Sequence, residues 1–195
     1  MRLWIVVLSL LACLMPWRAP FAQEAPDAVL RDALAARMPA ETARRMCHNP
    51  LAFLDKAKGL ILGYGSDRRI SPAQIEVAIE AELARLRVRE MRWLMEADLD
   101  ADLTVSAAER DVLVRAASVT MQDRLRAQHS AADGDGNDAV SWDELQRHAA
   151  ARAEAALPDD VRQGMRAMAV LDLDGDGWIA LGETVRSVDL LCGTA

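Results

Sequence analysis

Residues 172–183 read DLDGDGWIALGE. Asp172, Asp174 and Asp176 stand at alternate positions, Gly177 follows, Ile179 is eighth and Glu183 closes the run at the twelfth place. Carboxylates crowded into so short a stretch repel one another unless a positive charge offsets them. The stretch therefore asks for a cation, and the rest of the chain says how the request is built.

Two further copies share its register. Residues 98–109 read DLDADLTVSAAE and residues 133–144 read DGDGNDAVSWDE. Each carries oxygen-bearing side chains at loop positions 1, 3 and 5, an aliphatic residue at 8 and glutamate at 12. Their starts lie 35 residues apart, and the copy at 172 begins 39 residues later. Another 35 residues upstream, GYGSDRRISPAQ (63–74) keeps Ile70 at position 8 and Gln74 at 12 but lacks the carboxylates at 1 and 3. Four units at nearly constant period are an internal repeat.

Helix-like segments separate the loops. Residues 75–97 contain neither Gly nor Pro and place Ile75, Ile79, Leu83 and Leu86 at helical spacing. Residues 110–132 are similar, as one rigid helix or a bent connector, and Pro158 divides 145–171 into two helices. Upstream, 50–62 opens with Pro50 at a helix start, and 27–46 gives one or two short helices broken near Pro39. Ser71-x-x-Gln74, Ser106-x-x-Glu109 and Ser141-x-x-Glu144 are capping boxes at loop position 9, where the next helix starts; Ala180 denies the last loop that cap. With 52% hydrophobic and 4% aromatic residues over 195 positions, and no alternating β-branched runs, the expected fold class is all-α.

Helix, twelve-residue loop, helix, with acids at 1, 3, 5 and 12, resembles the EF-hand calcium-binding family over residues 50–192, and four tandem units look calmodulin-like in layout. The resemblance implies helix–loop–helix pairs joined by short β-bridges between position-8 residues, with Ile70 bridging Val105 and Val140 bridging Ile179. The implied division is a signal segment at 1–22, a helical extension at 23–49, a first pair at 50–120 and a second at 121–195.

It also implies up to three Ca²⁺ ions, because Ca²⁺ is a hard cation that takes about 6–8 oxygen ligands, and a terminal glutamate can give two at once. Mg²⁺ competes, but its smaller octahedral shell suits such loops less well. In the loop at 98 the ligands are Asp98, Asp100, Asp102, the carbonyl of Thr104, Ser106 and Glu109. In the loop at 133 they are Asp133, Asp135, Asn137, the carbonyl of Ala139, Ser141 and Glu144. In the last loop they are Asp172, Asp174, Asp176, the carbonyl of Trp178 and Glu183, with water in place of Ala180. Position 6 needs a sharp left-handed turn and usually glycine. Gly177 meets that need, whereas Leu103 and Asp138 depart from it, leucine at the higher cost. The first loop is expected to be dead, with Arg68 and Arg69 putting positive charge where the ion would sit.

The N-terminus carries an address. Met1-Arg2 precedes an uncharged apolar run from Leu3 to Met15, and Ala22 offers a cleavage point, so the chain reads as exported to the periplasm or exterior. The run is short for a membrane span. A lipobox-like Leu10-Leu11-Ala12-Cys13 offers lipidation at Cys13 as the alternative. Loss of 1–22 removes two arginines and leaves 21 basic against 30 acidic residues, a net charge of −9. An acidic chain repels phosphate backbones, so no nucleic-acid partner is expected. The two remaining cysteines, Cys47 and Cys192, are expected to form a disulfide in an exported protein; two free thiols are the other reading.

No enzyme is expected. His48, His129 and His148 stand in no zinc-ligand spacing, and neither a phosphate loop nor a nucleophile elbow is visible. Met91, Met95, Met121, Met165 and Met168 border the loops, either as ordinary core filler or as a groove that calcium would open. Two functions follow from the resemblance: a calcium-binding protein in which the ion stabilises or is buffered, or a calcium-dependent module that offers an apolar cleft to a protein partner.

Overall fold

The computed structural model describes residues 26–193. The expected signal segment 1–22 and Cys13 lie outside the described residues. The elements run α1 (Asp27–Arg37), α2 (Ala40–His48), α3 (Pro50–Tyr64), β1 (Arg69–Ile70), α4 (Pro72–Met95), β2 (Val105–Ser106), α5 (Ala107–Ala116), α6 (Val119–Ala132), β3 (Ala139–Val140), α7 (Trp142–Ala156), α8 (Asp159–Arg166), a 3-10 turn (Ala167–Leu171), β4 (Ile179–Ala180) and α9 (Leu181–Cys192). The chain is mostly helical, as its composition requires.

Helix starts follow the capping signals. Asn49 accepts the amide of Ala52 at 3.1 Å, with Pro50 opening α3 where a missing N–H costs nothing. Ser71, Ser106 and Ser141 each accept the amide three residues on, and Gln74, Glu109 and Glu144 reach back, so all three capping boxes form. Pro39 separates α1 from α2, and Pro158 separates α7 from α8. The 110–132 segment is not one helix: α5 stops at Ala116, Ala117 is extended, and α6 restarts after Ser118.

The loops pair differently from the expectation. β1 runs antiparallel to β4, with Ile70 opposite Ile179, and β2 runs antiparallel to β3, with Val105 opposite Val140. The expected bridges Ile70–Val105 and Val140–Ile179 do not form, and the pairing crosses the expected division between residues 120 and 121. The reason is the length of α4. Its 24 residues run without a break, which at 1.5 Å per residue holds the loops at its two ends about 36 Å apart. The loops at the two ends of α4 cannot touch, so the loop at 63 pairs with the loop at 172 and the loop at 98 with the loop at 133.

Two cores result. The larger gathers Leu34, Ile61, Ile70, Ile75, Leu171 and Ile179 beneath the β1–β4 ribbon. The smaller gathers Leu94, Ala97, Val105, Ala132, Val140 and Leu145 beneath the β2–β3 ribbon. α4 and α7 pack together in opposite senses: Ile79 and Ala153 lie in the first core, Leu94 and Leu145 in the second. α1 and α2 both lean on α9, and Leu34 of α1 is fully buried, so the expected extension is part of the larger core. Cys47 at the end of α2 is bonded to Cys192 at the end of α9, with Cα atoms 5.1 Å apart. Among the described residues no helix is long and apolar enough to cross a membrane.

Candidate metal centre

Three acidic clusters stand at the three loops: Asp98, Asp100 and Glu109; Asp133, Asp135 and Glu144; Asp172, Asp174 and Glu183. In each, one carboxylate oxygen per residue lies within 4.8 Å of the others. The geometry is set by backbone amides, and five of their contacts recur in all three loops.

The first aspartate accepts the amide of position 6, from Leu103 at 3.1 Å, Asp138 at 3.0 Å and Gly177 at 3.0 Å. The third-position aspartate accepts the position-5 amide, from Asp102 at 3.2 Å, Asn137 at 3.2 Å and Asp176 at 3.0 Å. Position 5 in turn accepts the amide of position 7, from Thr104 at 2.7 Å, Ala139 at 2.8 Å and Trp178 at 2.8 Å. The closing glutamate clamps both ends of its loop. One oxygen accepts from position 2 (Leu99, Gly134, Leu173) and the other from position 9 (Ser106, Ser141, Ala180), all at 2.8–3.0 Å.

This wheel needs left-handed backbone at two points. Position 6 has positive φ in every loop: Leu103 66°, Asp138 63° and Gly177 84°. Position 4 does too, at Ala101 (63°), Gly136 (74°) and Gly175 (76°). The departure at Leu103 is thus placed as its position implies, while the second strained residue, Ala101, escaped the sequence reading. A Cβ in that region meets the following carbonyl, at a cost of roughly 1–2 kcal/mol.

Of the expected ligands, the residues at positions 1, 3 and 12 converge. Asp102 and Asp176 lie outside the three clusters; their side chains and that of Asn137 are turned to the position-7 amides. Ser106 and Ser141 turn their hydroxyls onto the glutamate, each donating at 2.7 Å. These bonds favour the ionised form. The hydroxyl of Ser141, its amide and that of Gly134 pull Glu144 down to about 2. The amide and hydroxyl of Ser106 and the amide of Leu99 hold Glu109 below its usual range.

The loop at 63 collapses into a tight turn. Ser66 and Arg69 exchange both backbone hydrogen bonds, at 2.9 and 3.0 Å, and the central Asp67 and Arg68 both have positive φ, as in a mirror-image hairpin turn. Gly65 is required there, since a Cβ would meet the carbonyl oxygens of Arg69 and Ile61 at 2.2 and 2.5 Å. Arg69 does not point into its own loop. It reaches Asp176 of the last loop at 3.5 Å and covers the Trp178 ring, 5.2 Å from its centroid.

Buried His129 on α6 bonds the carbonyl of Val105 at 2.9 Å and ties one inner loop's entry helix to the other loop's strand. No spacing rule would have found that bond, because the partners lie 24 residues apart. The donors at the three clusters are oxygen alone, with no thiolate or imidazole among them, and that chemistry suits a hard divalent cation. No family model matches the chain, and neither a curated protein nor a solved structure matches it.

Proposed function

We propose that this is an EF-hand-type protein that binds up to three Ca²⁺ ions outside the cytosol, without enzymatic activity, and that the ions stabilise its loops or are buffered there. The observation that carries the reading is the repetition. Three loops with convergent carboxylates share one hydrogen-bond wheel, whereas a merely solvated acidic surface has no reason to repeat amide by amide.

The chain would hold the ions through Asp98, Asp100 and Glu109, through Asp133, Asp135 and Glu144, and through Asp172, Asp174 and Glu183. Asp102, Asn137, Asp176, the carbonyls of Thr104, Ala139 and Trp178, and Ser106 and Ser141 complete the sets. A bound ion supplies positive charge that offsets the mutual repulsion of each cluster. The amide wheel pre-arranges the carboxylates, so little ordering is left for the binding step.

A second reading, a calcium-dependent interaction module, is favoured by one feature. A groove of roughly 1240 Å³ opens between α2, α3, α4 and α8, with Phe53, Leu60, Tyr64, Val161, Met165 and Met168 in its wall. Calcium-dependent retention on a hydrophobic matrix separates the two readings.

The primary test is calorimetric titration of residues 23–195 with Ca²⁺, with tryptophan fluorescence followed in parallel. The expected result is near three ions and a spectral change that chelator reverses. One ion would mean that Leu103 and Asp138 disable their loops. No uptake would overturn the proposal and return the carboxylates to surface charge.

A further inference from the structure

The degenerate first loop has lost its ligands yet keeps a side chain on its partner's site. β1 is bound to β4 in a register that sets Arg69 opposite Ala180 and Ile70 opposite Ile179, and the amide of Leu181 donates to the carbonyl of Arg68 at 3.3 Å. That register carries the Arg69 guanidinium to Asp176, 3.5 Å from Oδ2, while Oδ1 accepts the Trp178 amide at 2.8 Å. The same guanidinium lies over the Trp178 indole, a placement worth about 0.5–1 kcal/mol at exposed sites. Both oxygens of Asp176 are therefore engaged, one by its own loop and one by a cation from the neighbouring loop.

The inner pair of loops serves as an internal control. There Ala139 pairs with Ser106 as Arg69 pairs with Ala180, and the residue at the same loop position in the other strand's loop is Thr104. Neither carries charge. The amide wheel is common to the three acidic loops, and among the described residues a cation tethered from the paired loop is found at the site at 172–183 and at neither of the other two.

Resting on the calcium reading proposed above, we infer that Arg69 is a built-in competitor for the last loop, holding Asp176 while that loop is free of metal and yielding it when Ca²⁺ enters. The last loop has the best backbone for the task, with glycine at both left-handed positions. Arg69 sets its affinity back toward that of the two strained loops. A unit charge within a few ångströms of a divalent ion, at an exposed position, weakens binding by about three- to tenfold. Because Arg69 and Asp176 are each 44% exposed, the effect is screened by salt. Arg69 also leaves or shifts on Trp178 as it yields, so that indole reports the exchange.

The test compares the chain of residues 23–195 with its Arg69→Gln and Arg69→Lys forms, each also in a Trp93→Phe, Trp142→Phe background that leaves Trp178 as the single tryptophan of that chain. Calcium is titrated by calorimetry and by Trp178 emission, at low and high salt. The expected result is that R69Q tightens the Trp178-reported site three- to tenfold and leaves the other sites unchanged. R69K keeps the parent affinity, and the gap between R69Q and parent narrows as salt rises. A purely structural role for Arg69 would move all sites or none, and any gap between R69Q and parent would not change with salt. Normal uptake of calcium with unchanged affinity in R69Q overturns the inference and leaves the calcium reading standing. Failure of the parent chain to take up calcium overturns both. Should R69Q fold poorly, Arg69→Met takes its place: a Trp178-reported site tightened three- to tenfold over parent, by a margin that narrows as salt rises, is expected, and affinity equal to the parent's overturns the inference.

Discussion

At the scale of single residues, the loops separate two demands that usually coincide. Carboxylates must converge, and the backbone must turn left-handed at positions 4 and 6 to let them. In the last loop both turning residues are glycine. In the loop at 98 they are Ala101 and Leu103, and Leu103 is half exposed, so its side chain returns little by burial for the strain of its backbone. Leu103→Gly is therefore expected to stabilise the metal-free protein by about 1 kcal/mol, the relief of strain less the added freedom of an unfolded glycine. Thermal unfolding in chelator measures it, and a loss of stability would mean that Leu103 packs in a way its exposure belies. The position-6 strain was legible in the sequence once the loops were aligned. The Arg69–Asp176 contact was not, because it joins residues 107 positions apart whose proximity depends on which loops pair.

At the scale of elements, α4 organises the molecule. The 75–97 segment is readable as helix from its spacing and from the lack of Gly and Pro, and a straight helix of that length forbids its two end loops from meeting. Val88 sits in the middle of α4, 65% exposed and clear of both cores. Val88→Pro removes a backbone hydrogen bond and kinks the helix while touching almost no packing, at a cost of about 3 kcal/mol or more. Denaturant unfolding followed by two probes, Trp142 fluorescence for the smaller core and far-ultraviolet circular dichroism for the whole, is expected to give coincident transitions in the parent and separated ones in the variant. Coincident, unshifted transitions in the variant would show that α4 does not couple the cores. The capping boxes at Ser71, Ser106 and Ser141, by contrast, were predictable to the residue, since a box needs only four neighbouring positions.

At the scale of the whole molecule, the disulfide closes the fold at its margins. Cys47 and Cys192 are separated by 145 residues, and their bond ties α2 to the end of α9, whose first turn carries Glu183. The closure of so long a loop restricts the unfolded chain, and by loop entropy contributes about 4–5 kcal/mol. Replacement of both cysteines by serine is expected to lower the stability by that order, read from urea unfolding under identical salt and chelator. A change below about 1 kcal/mol would mean that α1, α2 and α9 hold together by packing alone.

The sequence by itself determined what depends on neighbours: helices from periodicity, their starts from capping residues, and the register of the acidic loops from their spacing. Those features are encoded within a dozen residues, where local geometry leaves few choices. The tertiary structure decided what depends on distance through space. It set the outer loops against each other and the inner loops likewise, folded α1 into the larger core, broke 110–132 between Ala116 and Val119, and carried Arg69 across to Asp176. The physical reason is that a rigid 24-residue helix converts nearness in sequence into separation in space.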